Sequence, residues 1–250
     1  MKQQFYSILF NFLNLFFKFK NRNKKKIYIY ADSRGYDVIG KYGKSPFGSY
    51  ILPLAMKYNV TYRLCPEKFT TIVDFIDSIK DTSTSFDHVI MHCGIVDFSP
   101  RPLSSITKVI ESKKAKAYSK DLFNSNKAYY SNPFDEIYYN EKTITIYSKA
   151  YLSTVIGPKL QKIKNLIWID SNPFVKGWEG NFTKGRPTNI GTVIQEFEKI
   201  LEFFTPVKIS LKNWDEEMIK LYTIDNIHFT KAGFEKITLE IKNMMNAQAD

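Results

Sequence analysis

Cysteine and histidine are scarce in this 250-residue sequence, which has two cysteines and three histidines. Two cysteines are too few for a disulfide framework, and no Cys/His spacing typical of a zinc site occurs. Cys93 lies within the apolar run VIMHCGI, where a small buried side chain is the expected role. Without the signature of an oxidising compartment, the sequence predicts a cytoplasmic protein, and we expect neither a metal nor another cofactor.

Acidic residues are absent from the first 26 positions, although the whole chain has 25 of them against 36 lysines and arginines. Seven basic residues in that stretch supply seven of the eleven formal net positive charges, so only four remain for the rest of the chain. So small an excess is not typical of a nucleic-acid-binding surface. The glycine-rich aromatic strands of RNA-recognition domains are also missing, and we expect no nucleic-acid partner.

The N-terminal apolar stretch is shorter than the roughly 20 residues that span a bilayer. Within FYSILFNFLNLFFKFK, the polar residues Ser7, Asn11, Asn14 and Lys18 follow one another at spacings of four, three and four. These spacings place them on one stripe of a helix whose other face is broad and apolar. With KFKNRNKKK at its end, the segment predicts an in-plane anchor in which residues 1–20 contact an anionic membrane, peripherally on its inner face. The alternative is packing on the body or on a partner subunit.

Strands alternate with helices after residue 26, a pattern that indicates a parallel sheet with crossover helices. We therefore divide the chain into residues 1–26, an amphipathic helix with a basic linker, and residues 27–250, a single domain. The predicted fold class is α/β: a three-layer α/β/α sandwich with a mainly parallel, flavodoxin-like, five-stranded sheet. The strands are predicted at KIYIYA, VTYRLC, DHVIMHCG, NLIWIDSNP and PVKISL, and the main helices at TTIVDFIDSI, NIGTVIQEFEKILEFF and KAGFEKITLEIKNMM.

Two further stretches are less regular. Residues 36–58 predict a helix that is interrupted by Pro46 and Pro53. From about 101 to 147 the alternation is lost in a stretch rich in Lys, Ser, Asn and Tyr, which is too long for an ordinary connection. Because it follows the carboxyl end of a predicted strand, where α/β sheets bind ligands, we expect an insertion that covers the site. A disordered surface excursion is the alternative.

A serine directly follows the first predicted strand, in YADSRG, where its hydroxyl can lie exposed at the sheet edge. To act as a nucleophile, Ser33 needs a base, and the base needs a group that orients it. His88 and His92 belong to the third predicted strand, where structural histidines are common, whereas His228 lies on a loop before the last helix. Asp225 stands three residues before His228, a spacing that lets its carboxylate accept a hydrogen bond from the imidazole.

In three blocks the sequence resembles the SGNH/GDSL hydrolase superfamily. ADS at 31–33 resembles the G-D-S block of the family, GIVD at 94–97 resembles G-x-N-D, and DNIH at 225–228 resembles D-x-x-H, in the same order. More narrowly, GIVDFSPR and KGRPTNI resemble a bacterial branch that is often encoded with surface-polysaccharide genes. The resemblance covers most of residues 27–246. It implies Ser33 as nucleophile, His228 as base and Asp225 as the residue that orients the base.

Two departures from the family pattern concern the donors that stabilise an oxyanion. The asparagine of the third block corresponds to Val96, and the glycine of the second block has no clear match near CPEKFTT. Loss of one such donor typically costs about 10²- to 10³-fold in rate. Only the N–H of Ser33 is expected to remain.

Arg34 and Arg101 each have three alternative roles: they replace the missing donor, they bind an anionic substrate, or they are structural. The structural alternative pairs Arg101 with Asp97, and Arg34 with Asp37 or with solvent. The predicted oxyanion or substrate-binding residues are Ser33, Arg34, Gly94, Asp97 and Arg101.

The resemblance implies a serine esterase or O-acyltransferase that acts on a carbohydrate ester through an acyl-Ser33 intermediate, for example on O-acetyl groups of a bacterial surface polysaccharide or its precursor. With water as acceptor the protein is a deacetylase; with a sugar hydroxyl it is a transferase. The alternative is a catalytically weak protein that binds glycan or scaffolds a membrane-associated polysaccharide-synthesis complex. The missing oxyanion donor favours this alternative, and the presence of all three triad residues opposes it.

Overall fold

A five-stranded parallel sheet lies at the centre of the computed structural model, which describes residues 2–39, 43–79, 85–113 and 127–247. Strands are numbered along the chain, and the central ones are β1 (Lys26–Ala31), β4 (Asn59–Leu64), β5 (His88–His92), β9 (Leu166–Ile169) and β10 (Lys208–Ile209). They lie in the order β10-β9-β5-β1-β4, and every neighbouring pair is parallel. Counted along the chain this is the flavodoxin-like order, so the predicted fold class is confirmed.

Helices cover both faces of the sheet, which explains why β5 and β9 are buried at every position. Alternate residues of β1 enter different cores: Tyr28 and Tyr30 pack on one face, and Ile27 and Ile29 on the other. The helices are α1 (Lys2–Lys20), α2 (Ile51–Ala55), α3 (Ile72–Ile79), α4 (Ile95–Phe98), α5 (Leu103–Lys113), α6 (149–161), α7 (Ile190–Glu202), α8 (Glu216–Tyr222) and α9 (Lys231–Ala247). The middle turn of α6, Leu152–Ile156, is π-helical.

The broken helix predicted over residues 36–58 is largely wrong. Most of its first half forms an antiparallel pair, β2 (Asp37–Ile39) with β3 (Gly43–Ser45), and among the residues of this stretch that the structure describes only α2 is helical. Pro53 does not interrupt α2, because it lies in the first turn, where a helix makes no use of the N–H that proline lacks.

The described part of the stretch from 101 to 147 has regular structure. β6 (Arg101–Pro102), β8 (Glu141–Ile144) and β7 (Phe134–Tyr138) form a small antiparallel sheet in that order, and α5 follows β6. Tyr139 and Asn140 join β7 to β8 with φ values of 52° and 61°, as a tight two-residue hairpin requires. Residues 114–126 of the predicted insertion lie outside the described residues.

Helix α1 runs beside β4, the edge strand of the central sheet. Among the described helices, α1 included, none combines the length and the apolar character that crossing a bilayer requires.

Candidate functional site

Ser33 stands where the chain leaves β1 at the carboxyl edge of the sheet. Residues Ser33–Gly35 form a 3₁₀ turn, and the Asp32 side chain caps it by accepting a hydrogen bond from the backbone N–H of Arg34 at 3.0 Å. Only glycine fits at position 35 of this turn, because a Cβ there would come within 2.6 Å of Leu64 and 2.7 Å of Ala31. Ser33 is the first residue of this turn, a position whose N–H has no partner within a helix.

His228 and Asp225 form a hydrogen-bonded chain with Ser33. The Ser33 Oγ lies 3.1 Å from His228 Nε2, and His228 Nδ1 lies 2.9 Å from Asp225 Oδ2. The other carboxylate oxygen of Asp225 accepts the backbone N–H groups of Ile227 at 3.1 Å and His228 at 2.7 Å. The structure thus brings together three residues that are 195 positions apart at their extremes, in the geometry of a nucleophile, a base and an orienting carboxylate.

Asn226, in the middle of DNIH, holds this loop in place. Its φ is +65°, in the left-handed region that asparagine tolerates better than most residues. Its side chain accepts the N–H of Val175 at 2.9 Å and donates to the carbonyl groups of Val175 and Trp178. The backbone conformation that places Asp225 and His228 on one side is therefore tied to residues 175–178.

Arg186 forms a second ion pair with the triad carboxylate. Its guanidinium lies 3.3 Å from Asp225 Oδ2, also pairs with Glu179, and stacks on the Phe182 ring at 4.1 Å. Burial opposes the ionisation of Asp225, but the hydrogen bonds from His228 and the charge of Arg186 outweigh it and lower the pKa of Asp225. Asp225 is consequently held as a carboxylate, the form that fixes the tautomer of His228.

The structure does not bring Arg34 to the site as an oxyanion or substrate ligand. Its side chain is 2% exposed, pairs with Asp32 at 3.0 Å and donates to Ser171 Oγ at 2.9 Å. Burial alone would lower the pKa of Arg34, but the carboxylate of Asp32 raises it. Arg34 is therefore a structural residue beneath the turn, and its partner is Asp32 rather than Asp37 or solvent.

Asp97 also lies away from the site. It is wholly buried, and its Oδ1 accepts the N–H of Ile72 at 2.9 Å and the hydroxyl of Tyr147 at 2.6 Å. Burial raises the pKa of Asp97 to about 7, although these hydrogen bonds oppose the shift. Gly94 precedes α4 with a φ of 130°, which only glycine adopts readily, and among the described residues it is not part of the pocket wall. Both residues therefore shape the turn after β5 rather than contact a ligand.

A pocket of about 440 Å³ opens beside Ser33 and His228. The predicted insertion contributes Arg101, Tyr138 and Tyr139 to its wall, and the segment after β9 contributes Lys184 and Arg186. No carboxylate side chain lines it within the described parts of the chain. Val96 also lines this pocket and presents an apolar side chain where the resembling family has asparagine.

Arg101 is a pocket cation without a strong partner among the described residues. Its Nε is buried without a hydrogen bond, and Asp97 acts on it only through charge, because no ion pair joins them within 4.0 Å in the described structure. Burial lowers the pKa of Arg101, while Asp97 partly offsets the shift. A guanidinium is not deprotonated in proteins at neutral pH, so Arg101 carries its charge.

Sequence reasoning missed Arg186, Tyr138 and Lys184 as site residues. Lys184 and Arg186 both belong to KGRPTNI, a segment that carries part of the family resemblance, so a signal for them existed. Tyr138 ends β7, and its position depends on the small antiparallel sheet, which no sequence pattern predicts. Of the other histidines, His92 is buried and its Nδ1 lies 2.9 Å from the Tyr50 hydroxyl, in a structural role; burial holds its pKa well below its ordinary value.

Solved structures share this fold at low sequence identity. A lipase/acylhydrolase from Enterococcus faecalis superposes with a TM-score of 0.53 at 14% identity, over 89% of this chain and 96% of the other. A protein from Lactobacillus plantarum superposes with a TM-score of 0.51 at 12% identity, over 90% of this chain and 97% of the other. No protein-family model matches the sequence, and a search of curated protein sequences finds no significant match. The likeness therefore concerns the fold.

Proposed function

We propose that this chain is an SGNH/GDSL-type ester hydrolase or O-acyltransferase in which Ser33 is the nucleophile. The observation that carries the proposal is the hydrogen-bonded chain from Ser33 through His228 to Asp225 at the mouth of a pocket. The E. faecalis structure of the same fold is described as a lipase/acylhydrolase, in agreement with ester chemistry. We also propose that the chain belongs to the bacterial branch of this superfamily in which GIVD is followed by a Pro-Arg pair.

In the first half of the reaction, Ser33 Oγ attacks the ester carbonyl and its proton passes to His228 Nε2. Asp225 stabilises the imidazolium that forms. The Ser33 N–H, in the first position of the 3₁₀ turn, is the proposed donor to the oxyanion. The C–O bond to the alcohol then breaks, the alcohol leaves with the proton from Nε2, and acyl-Ser33 remains. Water or a sugar hydroxyl next attacks the acyl group and transfers its proton to Nε2. The bond between the acyl group and Ser33 Oγ then breaks, Oγ takes the proton back from Nε2, and the acid or the new ester leaves.

The proposed substrate is a carbohydrate O-acyl ester that also carries an acidic group. Tyr138, Tyr139 and Phe182 present aromatic surface to the pocket, and such surface packs well on sugar rings. Arg101 offers a charged guanidinium without a strong partner, suited to a carboxylate or phosphate. Of the two functional roles considered for Arg101, substrate binding is favoured, since a pocket without its own carboxylates attracts an anion. O-acetyl groups of a bacterial surface polysaccharide or its precursor satisfy this description.

A glycan-binding or scaffolding protein without turnover is the second candidate. The observation that favours it is Val96, which supplies no hydrogen bond where the resembling family has an asparagine donor. Against it, Arg186 and the backbone N–H groups at 227 and 228 keep Asp225 ionised and oriented, which binding alone does not require.

Turnover of 4-nitrophenyl acetate separates the two candidates. We expect wild type to release nitrophenolate and Ser33→Ala to be inactive, while Ser112→Ala, on the exposed surface of α5, retains full activity. Arg101→Met should leave this neutral ester nearly unaffected but raise KM for an O-acetylated uronic acid, because the charge serves binding. Equal activity of wild type and Ser33→Ala would exclude the acyl-enzyme mechanism and leave the binding protein.

A further inference from the structure

Helix α1 is attached to the body through its polar side chains. Asn14 donates to the carbonyl of Val60 at 3.1 Å, and Lys18 donates to Thr61 Oγ1 at 3.0 Å, both on the edge strand β4. Beyond the helix end, Asn21 donates to the carbonyl of Ala55 at 2.9 Å. These bonds fix the rotation of the helix: the stripe that the sequence presents as its polar edge faces the protein.

One aromatic residue reinforces this attachment. Phe10 is wholly buried and meets the Phe47 ring at 5.0 Å and the Tyr62 ring at 5.4 Å, both in edge-to-face geometry. The Tyr62 hydroxyl in turn donates to Asn11 Oδ1 at 2.6 Å. The helix is therefore held on the sheet edge by specific contacts, and its orientation is determined by them.

The opposite face of α1 is apolar and exposed. Seven large apolar side chains there are between 47% and 70% exposed. Their spacings of three and four residues place them on one side of the helix. A helix on the surface of a globular protein normally has the reverse arrangement, with its apolar side on the core. The outward apolar residues are Phe5, Ile8, Leu9, Phe12, Leu15, Phe16 and Phe19.

Positive charge borders this apolar face at the carboxyl end of the helix. Lys20, Arg22, Lys24 and Lys25 are exposed, and the Arg22 guanidinium lies over the Phe19 ring at 5.2 Å from its centroid. No acidic residue occurs among the first 26 positions to neutralise them. From Phe5 to Phe19, at about 1.5 Å per residue, the outward apolar strip is about 21 Å long, and it ends in a cluster of cations.

We propose that the outward face of α1 lies in the surface of an anionic lipid bilayer, with its apolar side chains among the acyl chains and the basic cluster at the headgroups. Burial of each large apolar side chain favours insertion, and each basic residue near an anionic surface adds to the binding. A second copy of this chain is a poorer occupant, because an identical face offers no carboxylates to the basic cluster. The inner face of a cytoplasmic membrane has the required charge.

Flotation of the full-length protein with lipid vesicles tests this assignment. We expect binding to vesicles of phosphatidylcholine with phosphatidylglycerol, weak binding to phosphatidylcholine alone, and release at high salt. The triple variant Phe12→Ala, Phe16→Ala, Phe19→Ala should bind at least about tenfold more weakly, since three exposed anchors are lost while the attachment to β4 remains. Its matched control is Phe203→Ala with Leu239→Ala, which removes exposed apolar residues elsewhere and should bind as wild type does.

Several results would overturn the assignment. One is wild type that remains unbound in the presence of anionic vesicles, and another is equal binding to both vesicle types. A third is that wild type is a dimer by light scattering, that the triple variant is a monomer, and that neither protein binds lipid. A second copy of the chain would then cover the apolar face. Thermal melting of each variant shows that the body is folded, because alanine is compatible with an exposed helix position.

Discussion

Removal of the Arg34 charge should cost stability rather than catalysis, because the Arg34–Asp32 pair is buried and lies beneath the site. In Arg34→Met the carboxylate of Asp32, itself 0% exposed, loses the hydrogen bonds that arrive from the guanidinium at 3.0 to 3.3 Å. Breaking a buried pair by removal of one partner typically costs about 3–5 kcal/mol, since the remaining charge is left uncompensated. For a chain of this size that corresponds to a fall in Tm of roughly 6–20 °C.

Differential scanning calorimetry measures this fall, with Arg63→Met as the control that removes an exposed arginine. The double variant Asp32→Asn with Arg34→Met should melt above the Arg34→Met single variant, because it leaves no unpaired charge. Ester turnover by folded Arg34→Met, assayed below its melting temperature, should stay within about tenfold of wild type. A purely structural role of Arg34 is excluded if Arg34→Met melts within 2 °C of wild type, or if it melts lower but loses turnover as completely as Ser33→Ala does.

Two further predictions concern the buried Asp97 and the loop that carries Asp225. Asp97 has a folded-state pKa of about 7 against 3.8 when unfolded, so folded wild type binds more protons between these values and loses stability as pH rises through them. This loss of unfolding free energy amounts to up to about 4 kcal/mol, and Asp97→Asn should remove it. The Tm of Asp97→Asn should therefore exceed that of wild type by more at pH 8 than at pH 5. Gly180 has a φ of 52°, and a Cβ there would lie 2.1 Å from the Ile224 carbonyl oxygen, next to Asp225. Gly180→Ala should therefore lower kcat by about 10²-fold through displacement of the triad loop, whereas Gly177→Ala, with a similar φ of 76° and open space, should keep kcat; equal kcat values for the two variants would contradict this.

The central sheet could be predicted from sequence because its determinants are local. Strands such as DHVIMHCG are continuously apolar, and this is typical of burial on both faces. Ser33 could be placed because it directly follows such a strand, and His228 and Asp225 because their spacing has a direct geometric meaning. The positions of residues at strand ends, or in short loops beside them, could therefore be predicted from the sequence.

The wall of the pocket could not be predicted, because it depends on contacts between distant parts of the chain. Tyr138 reaches the pocket through the small antiparallel sheet and donates to the Gly185 carbonyl at 2.8 Å, across 47 residues. The role of Arg34 depended equally on burial: the sequence places it next to Ser33, but Ser171 and Asp32 hold its side chain inward. The rotation of α1 about its axis could not be predicted either, since a polar stripe alone does not indicate whether it faces water or backbone carbonyl groups.

A fluorophosphonate probe tests whether Ser33 is an activated nucleophile, because its reaction requires the serine, its base and an accessible site together. The protein is incubated with the probe, digested, and the modified residue is identified by mass spectrometry. We predict one adduct, on Ser33, which is absent from Ser33→Ala and forms far more slowly in His228→Ala. A folded wild-type protein that takes up no probe, or an adduct on another serine that persists in Ser33→Ala, would show that Ser33 is not the nucleophile.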